Sequence, residues 1–548
     1  MDFYSEFNQI LKKKKLTKLE ISKIKLILCK KYSLKKIPTD IEISQRTEEK
    51  ILSKPMRTIS GVSPIAIMTK PSKCPHGSCI YCPGGAKSEF GDVPKSYTGK
   101  EPATRRAIRN NYDPYLQTMN RLEQFILLGH NPSKVELIIM GGTFPAESKK
   151  YQKDFILEAF KAMNDFSKLF YKKNIFQDKK FKDFFELPCD VNDLEREKKI
   201  IKKILKKKSK TKPNILKVHE DNETSNIRCI SLVIETRPDY ATLPIAKKLL
   251  ELGCTKIELG IQSPFEDTLK NINRGHTVKE SIKATKILKD LGFKITYHVM
   301  PGLPGVNKKR DIKGLKEYIK NEDFRPDMFK IYPCLVLRGT KLYDLWKKGK
   351  FKPISTKEAA EIIYEFKKII PEWIRIMRVQ RDIPTFMTEA GVDKTNLRQY
   401  VKQLGKNCNC IRCREPKKDE TYNQIEYKNT EYNASKGKEH FIQAFNPESN
   451  TILGFCRLRF PSKPLSKEIT KTSALIRELR VYGKSTKLGD KGKLQHRGIG
   501  KELMRIAEEI ISKNKRNKII IISGVGAREY FKKIGYKKEG PYMTKKIK

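Results

Sequence analysis

Cys74-Pro75-His76-Gly77-Ser78-Cys79-Ile80-Tyr81-Cys82 comes just after an apolar run at residues 65–69 that reads as a strand. The spacing is C-x4-C-x2-C. Three thiolates this close can each hold one iron of an iron–sulfur cluster. With three protein ligands, the fourth iron is open to a small molecule. Closed structural zinc takes four ligands in C-x2–4-C pairs; His76 is the one further donor inside the loop, where Pro75 and Gly77 shape the turn. A cysteine loop that ends a strand sits where α/β barrels keep their chemistry, at the carboxyl ends of the strands.

Outward from that loop the rhythm is regular. Residues 65–69, 135–140, 231–236, 256–261, 294–300 and 328–332 read as strands, with 374–380 a candidate seventh. Helix-length patterns lie between them, at 116–128, 243–252, 278–291 and 357–370. Repeated βα units predict a parallel sheet with right-handed crossovers, closing wholly or partly into a barrel. Several strands end in polar or glycine-rich text: Gly141-Gly142-Thr143, Glu235 to Asp239, Gln262-Ser263, and His298 to Gly302. Glu235, Arg237, Gln262 and His298 are therefore candidate catalytic residues. Ion pairs that fill the barrel layers are the alternative reading.

Two segments break the rhythm. Residues 168–226 carry lysine runs such as Lys206-Lys207-Lys208 and exceed an ordinary βα connection, which predicts an inserted, mobile surface segment. Residues 1–54 place Leu16, Leu19, Ile24, Leu26 and Ile27 at near-helical spacing among lysines, which predicts a small basic helical module. It reads either as packed helices with solvated lysines or as an RNA-docking arm.

After the barrel, Cys408, Cys410 and Cys413 form a C-x-C-x2-C cluster that suits a structural zinc in a linker at 401–425. Cys334, Cys456 and His440 are candidate fourth ligands, and a second redox cluster is the alternative. The remaining Cys29, Cys189, Cys229 and Cys254 read as ordinary small hydrophobes or incidental thiols. From about residue 426 the text changes, with strands at 441–445, 451–460 and 474–481. Gln495-His496-Arg497-Gly498-Ile499-Gly500 then opens a helix at 501–512, followed by a strand at 518–522. A glycine loop entering a helix amino terminus offers free N–H groups to a pyrophosphate.

The first cysteine loop with Gly141-Gly142-Thr143 resembles the radical S-adenosylmethionine superfamily, with a variant cysteine spacing. Residues 495–500 resemble the acetyl-CoA loop of Gcn5-related acetyltransferases, and Tyr530 stands where those enzymes often keep a tyrosine near the thioester sulfur. Together with Ile272 to Thr277, Met300 to Gly305 and Gly540-Pro541-Tyr542-Met543, the chain resembles the Elongator protein 3 family from about residue 55 to its end. That resemblance implies a partial radical-SAM (β/α) barrel at 55–400 and an acetyltransferase α/β domain at 426–548. Cys74, Cys79 and Cys82 would hold a [4Fe-4S] cluster, and Gly141, Gly142 and Thr143 would lie along S-adenosylmethionine. Gln495, His496, Arg497, Gly498, Ile499 and Gly500, with Tyr530, would bind acetyl-CoA, and Tyr530 would also be a catalytic residue there. The implied reaction is a carboxymethyl-type modification at C5 of the wobble uridine of tRNA. Phe531 stands where many members have a second tyrosine.

The composition fits such a partner. Lysine and arginine number 115 against 63 acidic residues, a net charge of +52. So basic a chain repels itself unless a polyanion shares its surface; with the motifs, tRNA is the expected partner and DNA is not. No apolar stretch approaches the roughly 20 residues of a membrane span. The first 15 residues contain no secretory h-region, and 12 cysteines in two tight clusters are no disulfide framework. A cytoplasmic protein is expected. Whether it works with a second copy or with accessory subunits stays open. A protein lysine acetyltransferase with a structural iron–sulfur barrel and a non-catalytic tRNA scaffold are the competing functions.

Overall fold

The computed structural model describes residues 2–13, 16–53, 58, 60–190, 193–209, 213–405, 407–417, 422, 424–483 and 498–547. Its centre is a seven-stranded sheet: β1 (Ser63–Met68), β2 (Lys134–Met140), β3 (Arg228–Thr236), β4 (Cys254–Gln262), β5 (Lys294–Val299), β6 (Met328–Ile331) and β7 (Arg375–Arg378). The strands stand side by side in chain order and every pairing is parallel. That order is what successive right-handed crossovers generate. All seven expected strands are present, each within about three residues of its reading.

Local chemistry starts the crossover helices. Asp113 caps helix Pro114–Leu127 by accepting from Leu116 N, with Pro114 in the first turn. Thr277 with Glu280, and Ser355 with Glu358, form capping boxes for Val278–Asp290 and Thr356–Lys368. The outer face of the sheet buries Ile65, Leu137, Leu232 and Ile257 against these helices. Charged side chains occur on the strands as well: Glu136, Lys256, Glu258 and Lys330.

The segment at 168–226 differs from its reading as a mobile surface insertion. Helix Lys149–Phe170 runs into it, and helices Asp178–Phe184, Leu194–Ser209 and Ile215–Thr224 follow. Phe166, Phe170, Phe181 and Phe185 are fully buried and meet ring against ring, with centroids from 4.8 to 6.3 Å apart. Lysines dominate the composition, but the phenylalanines recur at helical spacing, and their burial gives the segment a core of its own. It also holds the amino-terminal helices Phe3–Lys13, Lys18–Lys31 and Asp40–Arg46. Cys189 N donates to Gln45 Oε1 at 3.0 Å, Lys182 Nζ to Thr47 O at 3.0 Å, and Lys50 pairs with Asp178 at 3.1 Å.

A second sheet follows the linker: β8 (Glu426–Ala434), β9 (Gly437–Asn446), β10 (Thr451–Phe460), β11 (Ser473–Val481), β12 (Lys518–Ile521), β13 (Lys537–Glu539) and β14 (Tyr542–Lys546). Its order is β8-β9-β10-β11-β12-β14-β13, antiparallel except for β11 beside β12. Helix Ile499–Lys513 covers one face through Leu503, Ala507 and Ile511.

This second domain docks on the amino ends of the barrel strands, opposite the cysteine loop. Tyr542 Oη donates to Leu291 O at 2.9 Å, and Arg477 Nη1 donates to Phe293 O at 2.9 Å. A Cβ on Gly524 would lie 2.0 Å from Ile230 O, so backbone meets backbone there and only glycine fits. Between the domains lies a buried ion network. Arg477 pairs with Asp327 (2.6 Å) and Glu439 (2.8 Å), Arg459 with Asp290 (2.5 Å) and Glu439 (2.9 Å), and Lys289 with Glu439 (3.3 Å). Burial works against the charge on Asp327, but Arg477, Lys289 and Arg457 hold its carboxyl well below the usual range. Among the described residues, no helix is long and apolar enough to cross a membrane.

Candidate active site

The cysteine loop leaves the carboxyl end of β1 and folds back over the barrel mouth. Gly77 N donates to Cys74 O and Cys82 N to Cys79 O, both at 3.0 Å, which makes two successive tight turns. Gly77 has φ +88, a conformation that the first turn requires and glycine supplies. Ile80 N donates to Ile272 O at 3.1 Å, and Asn273 Nδ2 to Ser78 O at 2.9 Å, so the loop after β4 pins the cysteine loop from the side.

The three thiols, Gly142 and Thr143 line one pocket together with Glu235, Arg237, Gln262 and His298. The four barrel candidates, with Gly142 and Thr143, thus share one pocket with the cysteines, although they come from β2, β3, β4 and β5; the fifth candidate, Tyr530, lies in the second domain. Gly141 lies just behind the wall: its carbonyl accepts from Thr69 Oγ1 at 2.8 Å, and a Cβ there would meet that oxygen at 2.6 Å. Thr143 Oγ1 is 3.8 Å from Cys74 Sγ.

The donor set fits an iron–sulfur cluster. His76 is folded among the thiols, 3.1 Å from Cys74 Sγ through Nδ1 and 3.3 Å from Cys79 Sγ through Nε2. Buried Arg274 approaches Cys79 Sγ to 3.6 Å and is aimed by two bonds to Gly260 O (2.7 and 3.2 Å). Burial pushes the Cys74 thiol up, and Thr143, Arg237 and Arg274 act in the opposite direction. A cationic wall behind three thiols suits an anionic cluster. Arg237 is itself locked: it binds Asp239 at 2.8 and 2.9 Å and donates to Gly275 O at 2.7 Å. Its visible work is to hold the loop whose Gly275 touches His76.

His298 faces a neighbour that the sequence reading did not single out. Its Nε2 is 2.9 Å from Glu258 Oε2, and the same carboxylate contacts Lys330 Nζ. Burial would raise the Glu258 carboxyl, yet Lys330, Lys256 and His298 hold it well below its usual range. Lys330 in turn lies 3.4 Å from Glu235 Oε1, and Tyr97 donates its hydroxyl to Glu235 Oε2 at 3.3 Å. A lysine inside the apolar run Met328–Ile331 was the available signal for Lys330. Arg274 lies in the stretch Ile272 to Thr277 that carries the family resemblance, but its place beside Cys79 was not readable there; Tyr97 carried no signal.

In the second domain, Gly498 starts helix Ile499–Lys513 from a left-handed conformation, φ +77. A Cβ on Gly500 would lie 3.2 Å from Tyr530 Oη, so the tyrosine reaches the helix amino terminus over a bare glycine. Phe531 is buried in the second core. Gln495, His496 and Arg497 lie outside the described residues.

Cys408, Cys410 and Cys413 bring their sulfurs within 4.8 Å of one another. Lys367 Nζ donates to Cys413 Sγ at 3.1 Å. Ile411 N donates to Ile374 O at 2.9 Å and Arg414 Nη2 to Gln443 Oε1 at 2.7 Å, tying the cluster to both domains. The expected fourth ligands do not join it among the described residues. Cys334 packs beside the first cysteine loop, Cys456 is buried in the second core, and His440 faces Asn429 and Glu431. β9 and β10 do reach the linker, through Gln443 and Ile452, but His440 and Cys456 make their contacts elsewhere on those strands.

Residues 68–318 match the radical SAM superfamily, 326–406 the radical SAM C-terminal domain and 486–546 the acetyltransferase (GNAT) domain. The chain is 44% identical over 531 residues to a Methanocaldococcus jannaschii protein named tRNA uridine(34) acetyltransferase, covering 93% of this chain and 90% of the relative. It is 39% identical over 546 residues to Elongator complex protein 3 of Saccharomyces cerevisiae, covering 94% and 90%. The chain belongs to the Elongator protein 3 family. The solved structure of the archaeal Methanocaldococcus infernus Elp3 with residues 1–46 deleted superimposes with a TM-score of 0.72 at 38% identity. That match covers 89% of this chain and all of the other. The family thus accounts for a radical SAM half-barrel and a GNAT sheet within one chain, and radical SAM membership implies a [4Fe-4S] cluster and S-adenosylmethionine.

Proposed function

We propose that this protein modifies the wobble uridine of tRNA, installing a carboxymethyl-type group at C5 from acetyl-CoA. One observation carries the reading: Cys74, Cys79 and Cys82 share a pocket with Glu235, Gln262 and His298, in a chain whose second domain has the acetyltransferase fold. Cys74, Cys79 and Cys82 would hold the cluster, which with bound S-adenosylmethionine would supply radical chemistry at the acetyl methyl carbon. Around it, Gly142 and Thr143 leave room along β2 for the methionine moiety. His298, oriented by Glu258, stands ready to move the proton that leaves C5. Tyr530 serves the thioester at the other site, with Gly498, Ile499 and Gly500 at the pyrophosphate. The relatives' names support tRNA as the substrate, and so does the charge of +52.

The same reading divides the chain at 1–54, 55–400, 401–425 and 426–548. It assigns zinc to Cys408, Cys410 and Cys413. Tetrahedral zinc at about 2.3 Å from each sulfur sets sulfurs roughly 3.8 Å apart, compatible with the observed closeness. Metal analysis of the purified protein against Cys410→Ser tests that assignment: loss of one zinc per chain is expected, and unchanged zinc refutes it.

The central test is anaerobic incubation with reductant, S-adenosylmethionine, acetyl-CoA and tRNA, followed by nucleoside mass spectrometry. Carboxymethyluridine and 5′-deoxyadenosine are expected from the wild type and absent from Cys79→Ala, which still binds tRNA. Product from Cys79→Ala would overturn the cluster's role.

A further inference from the structure

Glu235 stands between two donors in the wall of the pocket. Tyr97 Oη donates to one of its oxygens at 3.3 Å and Lys330 Nζ to the other at 3.4 Å, and all three side chains line the cavity. Both bonds are long and therefore weak, so each donor can be drawn off this carboxylate by a better-placed acceptor. An ammonium has three protons and a carboxylate about four lone-pair sites, which leaves capacity on Lys330 and Glu235; the single Tyr97 proton turns from Glu235 to the incoming carbonyl as N3–H takes its place on the carboxylate. Lys330 does not wander: Glu258, 1% exposed, holds it from behind in close contact and is itself bonded to His298.

The row therefore presents donor, acceptor, donor to whatever enters. The imide edge of uracil presents the complement, with carbonyl oxygens O2 and O4 flanking the N3–H donor. Cytosine presents a lone pair at N3 and an amino group at C4, so its N3 would oppose a carboxylate and its amino group a phenol or an ammonium. In a buried polar site such a mismatch strands groups that have lost water.

We infer that Tyr97, Glu235 and Lys330 read the base, Glu235 accepting from N3–H while Tyr97 and Lys330 donate to the flanking carbonyls. The inference rests on the proposed uridine chemistry and adds to it how one pyrimidine is chosen over the other. Bases splayed from a single-stranded loop expose this edge. Glu258 acts here as a positioning residue, through Lys330.

Anticodon stem-loop RNAs that differ only at the reacting nucleotide test it, with uridine, 3-methyluridine or cytidine at that position. Their equilibrium binding to the full-length protein is read by fluorescence anisotropy. Uridine should bind about tenfold or more tighter than either alternative, the discrimination one well-matched base edge supplies. Glu235→Gln, which can turn an amide proton toward N3 of cytosine, should shrink the uridine-over-cytidine preference to under about threefold. Lys330→Met should weaken uridine binding, with partial recovery in Lys330→Arg. Equal binding of uridine and 3-methyluridine RNA by the wild type would overturn the inference without depending on any variant's folding. So would an undiminished uridine preference in Glu235→Gln. Absence of carboxymethyluridine from wild-type reactions would instead strike the proposed chemistry and leave the binding comparison standing.

Discussion

Arg477 of the second sheet and Asp327 of the barrel face each other as a two-pronged pair, at 2.6 and 2.8 Å, with both side chains wholly buried. Each comes from a different domain. A fork this dry is strong only while both partners remain, because a lone buried charge has no water to fall back on. Arg477→Met should cost about 3–5 kcal/mol of stability, seen as a lower denaturant midpoint. A midpoint unchanged within error would show that the interface does not depend on this pair.

Gly524 and Gly498 make a matched comparison. Gly524 has ordinary backbone angles, but a methyl there would sit 2.0 Å from Ile230 O. Gly498 has φ +77, and among the described residues nothing lies within 4 Å of an added Cβ. Gly498→Ala should cost only about 1–2 kcal/mol, the penalty of a left-handed residue. Gly524→Ala should cost more, because two backbones must separate, and thermal melts of the two variants measure the difference directly.

Asp311 supplies a pH signature. Its Oδ2 accepts from Gly302 N at 2.8 Å, and burial pushes its carboxyl up to about 7 from 3.8. A group raised in the folded state favours folding most when protonated. Its contribution is therefore full below about pH 3.8 and is lost as pH rises toward 7. Asp311→Asn keeps the acceptor and removes the titration. The variant should match the wild type near pH 4 and exceed it by on the order of 1–2 kcal/mol at pH 8, in denaturant titrations at both values. A variant that is weaker at pH 8 would contradict this.

Tyr530→Phe tests the second site by itself. Loss of the hydroxyl over Gly500 should slow CoA release from acetyl-CoA by about 10²-fold, in a thiol-release assay. The affinity for acetyl-CoA should not change. An unaltered rate would remove Tyr530 from the chemistry.

The barrel was legible because most of its strands are short, mainly apolar runs and several of them end in glycine or polar text. The cysteine loop and the strand-end candidates could be named for the same reason. Strand β8, Glu426–Ala434, was not legible, since most of its side chains are exposed and its text is polar throughout. The fold of residues 168–226 was obscured by lysine, although Phe166, Phe170, Phe181 and Phe185 already marked a buried face. Arg274 reaches Cys79 across 195 positions and Tyr97 reaches Glu235 across 138. Contacts at such separation follow from how loops close over a barrel, and no local pattern announces them.

The backbone-to-backbone contact of Gly524 with Ile230 bears on how such a protein is inherited. In the one-dimensional text the chain looks like two cassettes joined by a cysteine-rich hinge, as if either could be traded for a relative's. The interface forbids that exchange. A foreign barrel would have to offer the same strand ends at the same height to a loop that tolerates no added carbon, and supply carboxylates for Arg459 and Arg477. The two domains must therefore change together, and a chimera made by swapping one of them should fail to assemble.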